Sequence, residues 1–410
     1  METHLADFIR GTPDGEEAEA ILRRCVHCGF CTATCPTYQL LGDELDGPRG
    51  RIYLIKQVLE GTPATARTQL HLDRCLTCRS CESTCPSGVQ YARLLDIGRE
   101  VVEQQVGRSA GQGMLRGALR TLVPNRPLFG TAMALGKAVR PLLPAALKAK
   151  VPAPVAVGTR PPPRHPRRML SLAGCVQPSM FPNINAATAR VLDAVGISLL
   201  EAPGAGCCGA VRHHLADSTG ALSDARRNID AWWPHIEAGA ECLVINASGC
   251  GAHVREYAHL LRNDAAYAAK AVRVTALVRD VGEVVAAEVE ALLPALARAD
   301  GRRIAIHNPC SLQHGQQLRG LVERIVGATG ATLVPVADGH LCCGSAGTYS
   351  ILQAELSHRL RDNKLAALTA AAPDEIVSAN VGCIGHLGDA AAVPVRHWVE
   401  FIDSLLRTPV

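Results

Sequence analysis

The chain has 410 residues, 48% hydrophobic but only 3% aromatic, with a formal net charge of +4. That length fills two or three domains, whose cores must be built from Ala, Leu and Val. So few rings exclude the stacking platforms of a single-stranded nucleic-acid binder, and so small a charge does not imply nucleic acid as a partner. Seventeen cysteines would suit a disulfide scaffold in a short secreted chain. However, the opening METHLADFIRGTPDGEEAEA has no apolar h-region and carries several acidic residues. No stretch of about 18 or more predominantly apolar residues suggests a membrane span. The expectation is a leaderless cytosolic chain whose cysteines bind metal.

In chain order, the first feature is a pair of echoing runs. RCVHCGFCTATCP spans Arg24 to Pro36, and RCLTCRSCESTCP spans Arg74 to Pro86. Each is C-x2-C-x2-C-x3-C-P, the spacing of bacterial two-cluster ferredoxins. Three closely spaced cysteines wrap one cubane, and the fourth faces away to ligate the other. The expected ligands are Cys25, Cys28, Cys31 and Cys85 for one [4Fe–4S] cluster, and Cys75, Cys78, Cys81 and Cys35 for the second. Pro36 and Pro86 are expected to turn the chain away after the fourth cysteine. The competing reading is a pair of zinc sites, but those are usually built from two separated cysteine pairs. Two adjacent clusters pass single electrons and do no bond chemistry, so no catalytic residue is expected on this segment, residues 1–102.

Residues 103–168 read as a basic, Pro-rich linker. After Glu103 it has no Asp or Glu, and it carries 12 Lys or Arg. Within it, GMLRGALRTLV and GTAMALGKAV suit basic amphipathic helices. Such helices could contact an anionic membrane or a partner, or simply cover domain edges.

The rest of the chain is a longer duplication, residues 169–292 and 293–410. Cys175, Cys207, Cys208 and Cys250 are matched by Cys310, Cys342, Cys343 and Cys383, with offsets of 135 residues at the first three and 133 at the last. Each copy alternates strand and helix: RRMLSLAGC, NAATARVLDAVG, ISLLEA, LSDARRNIDAWWPHIEAG, ECLVINASGC, then RRIAIHNPC, LRGLVERIVGATG, ATLVPVA, ILQAELSHRLRDNKLAALTAA, EIVSANVGC. That order predicts α/β domains with parallel sheets, and places the cysteines at carboxyl ends of strands, where ligands gather. The fold expectation is therefore a mainly α-helical two-cluster ferredoxin-type domain followed by two α/β cysteine-rich domains. Gly209 and Gly344 free the Cys-Cys turns so that both thiols can converge. With His253 and His386, each copy offers a possible redox or metal site; buried inert thiols are the alternative. Cys242 has no counterpart and reads as core. His213, His214, His307 and His314 either line a pocket or are satisfied structural histidines. GAGCCG at Gly204–Gly209 formally matches a dinucleotide fingerprint, but its sister GHLCCG lacks the middle glycine, so no flavin or nicotinamide site is expected.

These runs, with LGDELDGPRGRIYLIKQVLEG, SLAGCVQPSMFPNINAATARVLD, NIDAWWPHIEAGAE, ASGCGAHV, HLCCGSAGTY and VRHWVEFI, closely resemble the glycolate oxidase (glycolate dehydrogenase) iron–sulfur subunits. The resemblance covers nearly the whole chain and is weakest in the Pro-rich linker. It implies a complex in which FAD-binding partner subunits oxidise glycolate to glyoxylate and this chain carries electrons toward quinone. It also implies a peripheral position on the cytoplasmic face of the inner membrane. Relatives with the same cysteine framework serve lactate and glycerol-3-phosphate oxidation or heterodisulfide reduction. In the heterodisulfide reductase relatives the cysteine-rich domains end in Cys-x-x-Cys and hold unusual clusters; here His253 and His386 replace the last cysteine. That departure leaves a disulfide-reducing role for the doublets, with Cys208 and Cys343 as test positions, as an alternative. An adaptor docked through its basic linker is another.

Overall fold

The computed structural model describes residues 1–142, 144, 148, 151–153 and 155–407. The N-terminal segment is helical. Helices Pro13–Arg24, Pro48–Leu59, Ala66–Asp73 and Tyr91–Gln105 close on a core of Ile21, Leu22, Ile52, Ile55, Leu59, Leu72, Leu94 and Leu95, against which Cys25, Cys75 and Cys81 also pack. Thr12 caps the first of these helices through the Gly15 N–H, with Pro13 at its first position, a placement that costs Pro nothing because that N–H is unpaired anyway. The same rule overturns one expectation. Pro36 does not turn the chain away; it opens the helix Pro36–Leu41, with Cys35 as the preceding cap residue.

Helices Ala110–Leu122 and Arg126–Ala138 form within the linker, as its periodicity predicts. Arg116 and Arg120 of the first helix, like Arg108 just before it, turn toward the chain's own carboxylates, whereas Arg126 of the second is exposed. Arg108 and Arg116 pair with Asp73, Arg108 also with Glu103, and Arg120 with Glu103. Further on, Arg160, Arg164 and Arg167 pair with Glu201, Asp193 and Glu241. Much of the positive charge read from the sequence is thus neutralised by the chain's own carboxylates. Exposed alongside Arg126 are the apolar side chains Met114, Leu128, Leu135 and Leu142. The linker's remaining positions, 143, 145–147, 149, 150 and 154, lie outside the described residues.

Two four-stranded parallel sheets follow. The first uses β1 (Arg167–Ser171), β2 (Ile197–Glu201), β3 (Leu243–Ile245) and β4 (Val278–Asp280) in the order β2-β1-β3-β4. The second uses β5 (Arg303–His307), β6 (Thr332–Val334), β7 (Glu375–Ser378) and β8 (Val395–His397) in the equivalent order β6-β5-β7-β8. The registers correspond: Leu170 faces Leu243 in the first sheet, and Ala305 faces Ile376 in the second. Ala305 lies 135 residues after Leu170 and Ile376 lies 133 after Leu243, the cysteine offsets again. The short edge strands β4 and β8 add to the sequence reading; each runs straight into a helix, Val281–Ala287 and Trp398–Asp403.

The two domains share one core. Helix Asn183–Asp193 of the first packs against helix Trp398–Asp403 of the second, and helix Val281–Ala287 against helix Leu321–Ala328. Trp398, Phe401 and Ile402 are buried together with Val191, Leu192, Val285 and Ile325. Arg190 pairs with Asp403 across this joint at 2.6 Å.

Candidate iron–sulfur and thiol sites

The two ferredoxin-like runs curl by the same device. His27 and Gly29 in the first, and Thr77 and Arg79 in the second, all take left-handed backbone conformations, which reverse the chain between successive thiols. A cavity forms where the two runs meet, lined by Cys25, Cys28 and Cys31 from one and by Cys81 and Cys85 from the other. Burial raises the Cys25 thiol, and the charges of Cys85 and Cys28 push the same way. Burial and the charge of Cys25 take Cys31 up to about 11. Cys78 and Cys81 form a second gathering: each is pushed well up by burial and by the charges of Cys75 and Cys35.

Among the described residues, none of these eight thiols belongs to a group of three ligand atoms within 4.8 Å of one another. A tetrahedral zinc with bonds of about 2.3 Å sets its sulfurs only about 3.8 Å apart. Neither gathering, as it stands among the described residues, has the close-set thiols of a single zinc ion, and the cysteine spacing is that of a polynuclear cluster.

Sequence reasoning missed the network beneath Cys35. Asp46 is fully buried and accepts from Arg74 at 2.8 Å and His71 at 3.0 Å. The equally buried Arg51 donates to the His71 carbonyl at 2.7 Å and to Thr37 Oγ1 at 3.2 Å, and Thr37 Oγ1 lies 3.3 Å from Cys35 Sγ. Tyr91 donates to Cys75 Sγ at 3.7 Å. A cation buried beside thiolates offsets their charge where water cannot. The only hint in the sequence was the Asp-Gly-Pro-Arg-Gly-Arg stretch at Asp46–Arg51.

In the first cysteine-rich domain Cys175, Cys207, Cys208 and Cys250 form a chain of thiol contacts. Hydrogen bonds from Cys175 and Cys208 hold Cys207 well below its ordinary value. In the second domain Cys310 Sγ lies 3.8 Å from Cys342 Sγ, and the chain continues through Cys343 to Cys383. Gly209 and Gly344 both have positive φ, +96° and +87°, as the doublet turns require. The two thiol chains meet the ferredoxin segment differently. Cys78 and Leu76 pack with Cys310, Cys342, Tyr349 and Leu360 in one apolar cluster. The first domain instead meets that segment through ion pairs, Arg79 with Glu256 and Asp96 with His213.

The histidines need correction. Neither His253 nor His386 joins a group of three ligand atoms within 4.8 Å among the described residues. His386 Nε2 lies 3.1 Å from Ser357 Oγ, and the buried His253 packs among His213, His214 and Tyr257. His253 reaches the glycine of its doublet: a Cβ on Gly209 would lie 3.4 Å from His253 Nε2. The imidazole that does reach thiols is His307, with Cys343 and Cys383. His314 is structural, bound to Ser83 Oγ and the His340 carbonyl. His213 is committed to Asp96 at 3.1 Å. Cys242 sits in the shared core, as expected.

A helical segment that gathers eight cysteines from two ferredoxin runs, followed by twin parallel α/β domains with Cys-Cys doublets, defines a class: two-cluster ferredoxin-type proteins with duplicated cysteine-rich domains. Family models agree: the 4Fe-4S dicluster domain matches residues 21–89, and the cysteine-rich domain matches 169–255 and 304–388. Over 408 residues the chain is 55% identical to the glycolate oxidase iron-sulfur subunit of Escherichia coli, covering 99% of this chain and 100% of that protein. It is 32% identical to the probable glycolate oxidase iron-sulfur subunit of Bacillus subtilis, covering 89% of this chain and 88% of that one. Lactate utilization protein A of an Exiguobacterium species is more distant, 26% identical over 56% of this chain and 94% of its own length. A crystal structure of a hypothetical protein from Helicobacter pylori shares the fold, with a TM-score of 0.56 at 10% identity, covering 97% of this chain and 73% of that one. The chain belongs to the family of glycolate oxidase iron–sulfur subunits.

Proposed function

We propose that this chain carries electrons within a glycolate oxidase complex, from FAD-binding partner subunits that turn glycolate into glyoxylate toward membrane quinone. Cys25, Cys28, Cys31 and Cys85 would hold one [4Fe–4S] cluster, and Cys75, Cys78, Cys81 and Cys35 the other. When bound, such clusters take up and release single electrons. The chain's own part is to bring the two ligand sets together, keep the second dry, and offset its charge with Arg51. No residue of this chain acts on the substrate, and no flavin is expected on it. In this reading residues 1–102 are the cluster domain, 103–168 the linker, and 169–292 and 293–410 the two cysteine-rich domains.

The observation that carries the reading is the cavity where Cys25, Cys28 and Cys31 of the first run meet Cys85 of the second, with Cys81 also on its wall, in a chain 55% identical end to end to a glycolate oxidase iron–sulfur subunit. A peripheral place on the cytoplasmic face of the inner membrane is part of the proposal. No described helix is long and apolar enough to cross a membrane, and the exposed apolar side chains of the linker helices would supply the contact. Disulfide reduction by the doublets is less favoured, because Cys207, Cys208, Cys342 and Cys343 are all buried and thiol exchange needs access. The test is anaerobic purification of the complex, with iron counting, EPR and glycolate-dependent quinone reduction. About eight irons per chain, and reduction lost with Cys85→Ser, are expected. A colourless, zinc-loaded protein, or unchanged coupling to quinone without this subunit, overturns it.

A further inference from the structure

We propose that the second cysteine-rich domain, and not the first, binds one divalent transition-metal ion between His307, Cys343 and Cys383. The three ligand atoms lie within 4.8 Å of one another and all three residues are buried. Two thiolates and an imidazole select a zinc-like or ferrous ion over a hard cation such as magnesium or calcium. Cys342, in contact with Cys343, is the neighbour that can complete the coordination.

The surroundings are those of a ligand shell. Ser378 Oγ lies 2.9 Å from His307 Nδ1, a contact that fixes the ring beside the thiols. Asn380 Nδ2 donates to Cys383 Sγ at 3.4 Å. Lys364, buried with its ammonium on the Asp338 carbonyl at 2.7 Å, places a positive charge near Cys343 and Cys342.

The first domain supplies the internal control. Its strand register maps Leu172 onto His307, Ile245 onto Ser378 and Ala247 onto Asn380, while every doublet cysteine is kept. Leu172 and Ile245 lie in that domain's apolar core. Among the described residues, the duplication therefore preserved the thiols in both copies and placed an imidazole within reach of two of them only in the second. Two buried thiols and an imidazole already gathered within 4.8 Å are a donor set that needs little rearrangement to hold an ion.

This inference goes beyond the electron-transfer reading and does not rest on it. The experiment is metal analysis of the anaerobically purified full-length chain, with EPR of the ferredoxin-type pair as the control for folding. One equivalent of metal beyond that pair is expected in the wild type. It should disappear in His307→Leu, which copies the first domain, and in Cys383→Ser. It should persist in Cys250→Ser and return in His307→Cys. Ser378→Ala, a milder change, should weaken retention of the ion against a chelator by about 10- to 100-fold. A wild type with no additional metal even after Zn²⁺ is supplied, or the same metal content in His307→Leu, overturns the proposal. So does equal loss on Cys250→Ser.

Discussion

The two cysteine-rich domains have the same strand order, the same register and the same four thiols, yet they are joined to the ferredoxin segment by opposite chemistry. The second domain presses Cys310 and Cys342 against Cys78 through an apolar contact. The first is held by charge, with Arg79 and Arg93 on Glu256 and His213 on Asp96. A duplicated fold can thus be kept for two reasons at once: one copy stands next to the redox thiols, and the other clamps the assembly. Of the two interfaces, the apolar one lies beside the second thiol gathering, the side on which the proposed electron path would continue.

The sharpest way to break this comparison is at the thiols. Cys78→Ser should abolish glycolate-dependent quinone reduction by the complex, whereas Cys175→Ser, remote from the ferredoxin cysteines, should leave it largely intact. EPR adds a check on the crossed ligand sets: Cys85→Ser should remove the signal that Cys25→Ser removes, and leave the one lost with Cys75→Ser. If Cys85→Ser and Cys75→Ser remove the same signal, the sets are not crossed.

Next in size are the two buried tryptophans. Trp398→Ala and Trp232→Ala should each cost about 3–5 kcal/mol, but with different reach. Trp398 lies in the core that both domains share, while Trp232 packs within the first domain alone. Amide exchange should therefore accelerate in both sheets for Trp398→Ala and in the first sheet only for Trp232→Ala. Identical patterns would mean that the shared core does not couple the domains.

The doublet glycines give a smaller contrast. Either Gly→Ala change forces alanine into a left-handed conformation, a cost of about 1–2 kcal/mol. A Cβ at Gly344 would also lie 2.5 Å from the Ser357 carbonyl oxygen, whereas at Gly209 the nearest atom, the Ala221 carbonyl oxygen, is 3.0 Å away. Gly344→Ala should be the more destabilising in thermal unfolding, by about 1–2 kcal/mol more. Equal losses would show that the chain around Ser357 yields.

How much of this could be read in the sequence follows the range of the interactions. The cysteine runs, the offsets of the duplication and the strand–helix alternation are local patterns, and each leads directly to a ligand set, a domain or a sheet. His253 and His386 share a helix face with Cys250 and Cys383, but their imidazoles are engaged elsewhere, His386 with Ser357 and His253 among His213, His214 and Tyr257. His307 was visible as a histidine at a strand end, but its approach to Cys343 and Cys383 depends on neighbouring strands that the sequence does not align. The Arg51–Asp46–His71 network and the arginine pairs of the linker are likewise tertiary. A count of basic residues shows charge, not the carboxylates that answer it.

The clamp of the first domain makes a prediction with a sign. Burial alone would lower His213, but the charge and hydrogen bond of Asp96 outweigh it and hold His213 above its ordinary 6.5. Asp96 is held below the ordinary carboxylate value: burial opposes this, but the charge and hydrogen bond of His213 overcome it. A raised histidine contributes stability that is complete below its unfolded value and is lost as pH rises through its folded value. A lowered carboxylate contributes above its unfolded value, about 3.9, and loses that as pH falls. The pair therefore holds the interface best in mildly acid conditions and weakens above the elevated His213 value. Burial keeps the neighbouring His214 down at about 4 and His253 well below its ordinary value, so neither charges across that window. In the wild type, amide protection at residues 91–105 and 210–214 should exceed that of Asp96→Asn by about 1–2 kcal/mol near pH 6, shrinking toward pH 9. Comparison at matched pH cancels the intrinsic exchange rate. A difference that stays constant across that range would mean that Asp96 holds the first domain as a neutral hydrogen-bond acceptor rather than as the partner of a charged imidazole.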